Sequence, residues 1–331
     1  MAQAAATSRR APFAVADPEP RIAVLIPCYN EELTVGQVVR EFRTELPEAE
    51  IYVFDNNSVD RTVEEARAAG AIVMREYRQG KGYVVQSMFQ QVEADIYIMV
   101  DGDATYDPKA VRDLLQPILN REAEMVVGSR LHNCSKSEFR QLNRLGNRLF
   151  LSVLNSMFGV RLTDILSGYR VFSREFVKHI PLFTDGFQVE TELTIKALER
   201  RFRIVEVPIN LSPRPEGSYS KIRHFHDGIE ILKLILSLFR DYKPLTFFGA
   251  VGLLLMLAGL VPGLMVIQEF LRTGLVPRLP SALLAVGLEL SGMLATAVGL
   301  VLHTTVRRFQ EFEYQLRTVG KGLISGANWR R

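Results

Sequence analysis

Between residues 21 and 210, short apolar runs rich in Val and Ile alternate with longer stretches of helical spacing. The runs IAVLIP, IYVFD, AIVMRE, IYIMVD and EMVVGS predict strands. Between them EELTVGQVVREFRTEL, SVDRTVEEARAAG, GKGYVVQSMFQQVEA and PKAVRDLLQPILNR predict helices. This alternation predicts an α/β domain with a mostly parallel sheet flanked by helices. In such sheets ligands bind at the carboxyl ends of the strands, and polar residues collect there. IAVLIP runs into Cys28-Tyr29-Asn30-Glu31, IYVFD into Asp55-Asn56-Asn57-Ser58, and IYIMV into Asp101-Gly102-Asp103. The expectation is three strand ends converging on one acidic rim.

The pattern changes towards the C-terminus. LTFFGAVGLLLMLAGLVPGLMVI (245–267) holds no charged residue, and LPSALLAVGLELSGMLATAVGLVL (279–302) holds only Glu289. Each is long enough to cross a hydrocarbon core, which takes about 20 apolar residues. Basic residues flank the pair: Lys221, Arg223, Lys233, Arg240 and Lys243 before it, Arg307, Arg308, Arg317 and Lys321 after it. The intervening loop carries only Arg272 and Arg278. The positive-inside bias predicts a transmembrane hairpin with both ends in the cytoplasm. Pro262 is a candidate kink, and Glu289, costly in lipid, is expected to face a partner or a cavity. Just before the hairpin, Ile229, Leu232, Ile235, Leu236 and Phe239 recur at helical spacing, predicting an amphipathic helix at the membrane interface.

Composition narrows the partners. A net charge of +3 over 331 residues offers no field of the kind that nucleic acid requires. Two cysteines, Cys28 and Cys134, make neither a disulfide framework nor a zinc set. The first 20 residues, rich in Ala and Pro, lack the apolar core of a signal peptide and are expected to be disordered.

The acidic rim suggests chemistry. A carboxylate pair at a strand end suits a hard divalent cation, Mg2+ or Mn2+, which takes oxygen ligands and commonly also holds substrate phosphates. Gly102 allows close backbone approach. In RQGKGY (78–83), Lys81 lies between two glycines at a helix start, where ammonium and backbone amides would meet a diphosphate. The Walker spacing is missing, and no Gly-x-Gly-x-x-Gly follows the first strand, which argues against a P-loop ATPase and a dinucleotide oxidoreductase.

PCYNEE, DNNSVDRT, GKG, VDGDATYDP, VGSR and DILSGYRVF occur here in the order seen in family 2 glycosyltransferases of the GT-A fold. More narrowly, the chain resembles the polyprenyl-phosphate glycosyltransferases, which include dolichol-phosphate mannose synthase and bacterial undecaprenyl-phosphate sugar transferases. The likeness covers about residues 20–240, and the membrane hairpin suits the bacterial branch.

The resemblance implies a cytoplasmic GT-A catalytic domain over 21–222, a juxtamembrane helix over 223–243, a hairpin over 244–303 and a cytoplasmic tail over 304–331. It implies that Pro27, Tyr29, Asn30, Glu31, Asp55, Asn57, Lys81, Asp101 and Gly102 bind the nucleotide sugar. Asp101 and Asp103 match the family's Asp-x-Asp and are the expected ligands of Mg2+ or Mn2+, Asp103 the more direct of the two. Arg130 matches an arginine near the phosphates. Asp164, Ser167 and Arg170 match the element at the reaction centre, with Ser167 towards the acceptor phosphate. Glu190 and Glu192 of GFQVETEL match a less specific acidic element. Arg214 and Lys221 of PRPEGSYSK match a basic loop that binds the lipid phosphate.

The implied reaction moves a sugar from a nucleotide sugar, UDP-linked rather than GDP-linked, to a polyprenyl phosphate, with inversion. Relatives with such hairpins can assemble as tetramers, so the resemblance admits a homo-oligomer, and the oligomeric state stays open. A processive polysaccharide synthase is the nearest rival, but its Gln-x-x-Arg-Trp element is absent, since the single Trp is Trp329 after SGAN. A catalytically silent membrane scaffold is a second rival, opposed by the intact Asp101, Asp103 and Asp164.

Overall fold

The computed structural model of the protein describes residues 19–130, 151–213 apart from 153, 157 and 187, the positions 233, 236, 237 and 239–241, and 243–327. The chain divides into two units, Met1–Lys221 and Ile222–Arg331.

The first unit is built on β1 (Ile22–Cys28), α1 (Val35–Glu45), β2 (Glu50–Asp55), α2 (Thr62–Ala68), β3 (Ile72–Arg75), α3 (Lys81–Gln91), β4 (Ile96–Met99), α4 (Val111–Leu119), β5 (Met125–Ser129), β6 (Arg170–Ser173), α5 (Arg174–His179), α6 (Val189–Glu199) and β7 (Ile204–Pro208). The seven strands form one sheet in the order β3-β2-β1-β4-β6-β5-β7. The five strands expected from the apolar runs are all present, and β1 through β4 pair in parallel. Strands buried on both faces need apolar residues at every position, which is why these segments read as continuous runs. Successive residues of β1 divide between two cores. Ile22, Val24, Ile26 and Cys28 join one with α1 and α4, while Ala23 and Leu25 join the other with α3 and α6. Helix α1 supplies Val35, Val38, Val39 and Phe42, and α4 supplies Val111, Leu114, Leu115 and Ile118, in each case one stripe at helical spacing.

Two strands have no counterpart among the predicted runs. β6 lies between β4 and β5 and is antiparallel to both, so the sheet is mixed at this point. β7 pairs in parallel with β5 at the edge. β6 contains only two successive apolar residues, Val171 and Phe172, and Glu206 interrupts β7; neither carries a period long enough to read.

Chain order reverses direction around β1, with β2 on one side and β4 on the other. This is the switch point at which an open sheet leaves a crevice beyond its carboxyl ends, and it is where Tyr29–Glu31 and Asp101–Asp103 emerge.

The second unit contains two long helices, α7 (Pro244–Thr273) and α8 (Leu279–Ala327). Helix α7 runs as one helix through Pro262 and ends on Gly274, whose φ of 70° supplies the left-handed closing residue. Helix α8 continues beyond the apolar stretch to Ala327, into the segment expected as a separate tail. Gly252 packs on Gly292 and Thr296, Gly259 on Leu288 and Ala285, and Gly299 on Phe248. Small residues at such contacts let helix backbones approach closely, as they do in membranes. Pro244–Thr273 and Leu279–Phe309 are long and apolar enough to cross a membrane, with only 11% and 17% of their most apolar windows buried. That exposure is unlike the core helices of a soluble fold and associates this unit with a membrane. The segment read as an interfacial helix lies largely outside the described residues.

Candidate active site

Three loops at the carboxyl ends of β1, β2 and β3 interlock before any ligand is considered. The Asn30 amide donates to Ser58 Oγ at 2.9 Å, and Asn30 Oδ1 accepts from the Val59 amide at 2.9 Å. The Glu31 amide donates to Thr62 Oγ1 at 2.8 Å. Asn30 and Asn57 adopt left-handed backbone, with φ of 51° and 63°, a conformation that asparagine tolerates better than most residues. Asp55 closes β2, buried, its Oδ1 accepting from the Ser58 amide at 3.1 Å and its Oδ2 lying 3.7 Å from Arg75 Nε. Pro27 is within β1 opposite Phe54, and Tyr29 is exposed on the rim.

The sequence singled out Asn57, but the neighbouring Asn56 does more to shape this corner. Asn56 is buried and donates to the carbonyls of Glu76 at 2.9 Å and Arg78 at 2.7 Å. Its Oδ1 accepts from the Gly80 amide at 2.8 Å. Glu76, also missed, is buried and clamps Arg78 through two bonds of 3.0 and 2.9 Å while accepting from Ser87. The Arg78 bonds chiefly pull its carboxyl down to about 2. These residues hold the loop that leads into α3 and Lys81.

The acidic tip follows β4. Gly102 is required here, because a Cβ would lie 2.6 Å from Cys28 Sγ, and the Gly102 carbonyl accepts from Thr34 Oγ1 at 2.7 Å. The tip is thereby pressed onto β1. Asp103 is buried, and its Oδ1 accepts from the Thr105 amide at 3.1 Å and from Thr105 Oγ1 at 2.6 Å. Asp101 is partly exposed and meets Lys81, with Nζ 2.6 Å from Oδ1. The same ammonium lies 2.5 Å from Glu190 Oε1. Burial opposes the charge on Lys81, but the two carboxylates outweigh it and hold the ammonium well above its usual range.

Lys81 stands at the start of α3, where the amide of the next residue is already engaged. The Gly82 amide donates to the carbonyl of Asp185 at 2.9 Å. A Cβ at Gly80 would fall on the Asp185 carbonyl and one at Gly82 on the Thr184 carbonyl. The two glycines of GKG therefore make room for the chain at 184–185, and of the backbone amides expected to meet a diphosphate, that of Gly82 is taken up by this packing.

The second cluster joins β5 to the loop before β6. Arg130 grips Asp164 in a fork, with Nε at 2.8 Å and the second guanidinium nitrogen at 3.1 Å, and its own amide donates to the same carboxylate at 3.1 Å. The Leu166 amide adds a bond of 3.0 Å. Burial raises the cost of the Asp164 charge, but Arg130 outweighs it, so the carboxyl sits below its ordinary range. Glu206 of β7, unnoticed in the sequence, accepts from the amides of Thr163 and Asp164 at 2.8 and 2.9 Å and fixes the start of this loop. Tyr106 joins the two clusters. It is buried, its hydroxyl accepts from the Gly168 amide at 2.9 Å, and Gly168 leaves no space for a Cβ beside the Asp101 carboxylate.

Arg170 and Ser167 lie beneath this surface. Both are fully buried, and Arg170 donates to the carbonyls of Ser167 at 2.8 Å and Ile165 at 2.7 Å and to Thr194 Oγ1 at 2.9 Å. Burial draws its guanidinium down to about 10, with Glu190 and Asp164 partly opposing. This arginine, expected at the reaction centre, braces the loop that carries Asp164. The two glutamates of GFQVETEL also separate. Glu190 faces Lys81, whereas Glu192 pairs with Lys196 at 2.7 Å and accepts from the amides of Phe183 and Thr184, which makes it a clamp for that loop. Arg214 and Lys221 lie outside the described residues. The chain approaching them is tied beside the tip, since Ser212 donates to the Thr105 carbonyl at 2.8 Å and Tyr106 bridges Leu211.

Among the described residues no group of three or more His, Cys, Asp or Glu side chains is arranged around a metal position. The donor set at the tip, two hard carboxylates on a short rigid turn, fits a Mg2+ or Mn2+ that takes few protein ligands and fills its shell with water and phosphate oxygens.

The family described as glycosyl transferase family 2 matches residues 23–180. Over 299 residues the chain is 31% identical to glycosyltransferase AglJ of Haloferax volcanii, covering 88% of this chain and 98% of that protein. It is 30% identical over 216 residues to the dolichyl-phosphate hexose transferase of the same organism, covering 65% of this chain and 92% of that one. Among solved structures, glucosyl-3-phosphoglycerate synthase from Mycobacterium tuberculosis, in complex with Mn2+, UDP-glucose and phosphoglyceric acid, superposes with a TM-score of 0.58 at 24% identity. That match covers 66% of this chain and 80% of the other and is a likeness of fold.

Proposed function

Because the chain belongs to glycosyl transferase family 2, we propose that it transfers a sugar from a nucleotide sugar to the phosphate of a polyprenyl phosphate at a membrane surface. The relative named as a dolichyl-phosphate hexose transferase supports the acceptor class. The donor is read as a UDP-hexose or UDP-N-acetylhexosamine. The observation that carries the reading is the meeting of the Asp101–Asp103 tip with Lys81 and the Arg130–Asp164 fork at one end of the sheet.

In this reading the strand-end loops of β1 and β2 take the nucleoside, with Asp55 at their base. Asp101 and Asp103 hold Mg2+ or Mn2+, which when bound offsets charge growing on the departing diphosphate. Lys81 and Arg130 face that same leaving group. The acceptor phosphate, with a second pKa of about 6, is largely dianionic at neutral pH and is itself the nucleophile. One of its oxygens forms the bond to the anomeric carbon as the bond to the diphosphate oxygen breaks, so no proton need be removed. A single displacement of this kind inverts the anomeric centre. Asp164 already accepts from Arg130 and two backbone amides, and its part is to hold Arg130 rather than to collect a proton. Arg214 and Lys221, on the chain leaving the tip, are the proposed partners of the lipid phosphate. In this reading both termini are cytoplasmic, as the basic flanks of the two apolar helices support, and the enzyme meets its acceptor in the plane of the membrane.

The test is a transfer assay with the full chain in detergent, undecaprenyl phosphate, Mn2+ or Mg2+, and a panel of UDP- and GDP-sugars. One donor yielding a lipid monophosphate sugar of inverted configuration supports the reading. Metal-dependent transfer to water or a soluble acceptor, with the lipid ignored, overturns the acceptor assignment.

A further inference from the structure

We propose that Lys81 occupies the place of the divalent cation at Asp101 until the donor arrives, and that Glu190 is the positioning residue that lets it step aside. The inference rests on the reading of the tip as the cation and diphosphate site.

The geometry is that of one ammonium shared between two carboxylates, 2.6 Å from Asp101 Oδ1 and 2.5 Å from Glu190 Oε1. The three side chains are only 12%, 26% and 5% exposed, so water screens their interactions weakly. The backbones that carry them are fixed. Gly80 is bonded by Asn56, Gly82 by Asp185, Gly102 is pressed on Cys28, and Glu190 is in the first turn of α6. The mobile part is the lysine stem, a flexible chain ending in a point charge with three donors.

A dication settling on Asp101 would meet this ammonium at close range, and the repulsion weakens cation binding while no anion is present. A nucleotide diphosphate reverses the balance, because it ligates the cation and offers Lys81 a new anionic partner. Cation and nucleotide then each strengthen the other by the same factor. Glu190 matters during the exchange. Once Asp101 turns to the cation, Glu190 still pairs the buried ammonium, which would otherwise be left without a carboxylate, a strongly unfavourable state for a charge out of water. The pair Lys81–Glu190 thus makes the bare protein a poor cation binder and the donor complex a good one.

Mn2+ binding to the full chain in nanodiscs, followed by loss of the free-ion electron paramagnetic resonance signal, tests this without turnover. Titrations are made alone and with UDP or GDP, on the wild type, Glu190→Gln, Lys81→Met and the double variant, with thermal melts to verify folding. In the wild type, nucleotide is expected to tighten Mn2+ binding by about 100-fold. The double variant has the net charge of the wild type, so a simple field effect leaves its affinity unchanged. The proposal requires it to bind Mn2+ alone about tenfold more tightly and to show a nucleotide effect smaller by about the same factor, the remainder being direct ligation of the cation by the diphosphate. Glu190→Gln alone is expected to weaken Mn2+ binding, and Lys81→Met alone to strengthen it. A double variant that matches the wild type in both titrations overturns the proposal and leaves the proposed function standing. A wild type that takes up no Mn2+ even with UDP and GDP overturns both.

Discussion

Asp101 meets a lysine and Asp164 meets an arginine, at the same end of the same sheet. Asp101 is partly exposed, its partner is a single flexible ammonium, and that ammonium already has a second carboxylate to turn to. Asp164 is buried, gripped in a fork by Arg130 and further bonded by two amides, with Glu206 and Arg170 fixing the loop on either side. The contrast separates two kinds of ion pair. A lysine pair at a crevice is exchangeable and suits a place where ligands come and go. A bidentate arginine pair with satisfied lone pairs is rigid and suits a group that must present one geometry.

The comparison breaks most sharply at the tip. Asp103→Ala is expected to lower transfer by about 10³-fold, the scale of losing a principal source of charge stabilisation, with the thermal midpoint far less affected. A variant that keeps more than a tenth of the activity would remove the tip from the chemistry. On the fixed side the expected loss is in stability. Arg170→Met leaves the carbonyls of Ser167 and Ile165 and the Thr194 hydroxyl without their donor and should destabilise the first unit by about 3–5 kcal/mol, read by denaturant unfolding in detergent. An unchanged midpoint with lost turnover would return Arg170 to the reaction centre.

Asp164→Asn sharpens the reading further. Turnover is expected to fall by about 10–100-fold through a loosened Arg130, while the acid limb of the pH profile, set by the acceptor phosphate near about 6, stays in place. A limb that vanishes in the variant would make Asp164 the base. The smallest effect concerns Glu76. Its folded carboxyl is held at about 2, below the ordinary 4.5, so its stabilising contribution is complete above that ordinary value and fades as pH falls towards the folded one. The difference in melting temperature between wild type and Glu76→Gln should therefore be widest at neutral pH and close in acid. A difference that grows in acid would contradict the Arg78 clamp.

The tip and its strand were legible from the residues themselves. Asp101-Gly102-Asp103 follows an apolar run, and the structure places it where that run ends. Lys81 was legible as a cation beside glycines, but not as the partner of Glu190, which arrives from a helix far along the chain. Asn56 and Asn57 are indistinguishable as letters. Only the loop after β3, folding back over β2, makes the first a buried bracket and leaves the second on the rim. β6 escaped notice because its two apolar residues carry no period, and with it went the fact that Arg170 starts a buried strand.

What the sequence determined by itself is what depends on neighbours in the chain: the alternation of strand and helix, the polar strand ends, the rigid acidic turn and the two long apolar spans. These follow from periodicities of two and 3.6 residues and from the length of helix that lipid demands. Tertiary structure alone decided which charges touch. It set Lys81 between Asp101 and Glu190, turned Glu192 away to Lys196, and sank Arg170 beneath the loop it supports. A charge takes its role from the burial and the partner it meets, and both are settled by segments that only folding brings together.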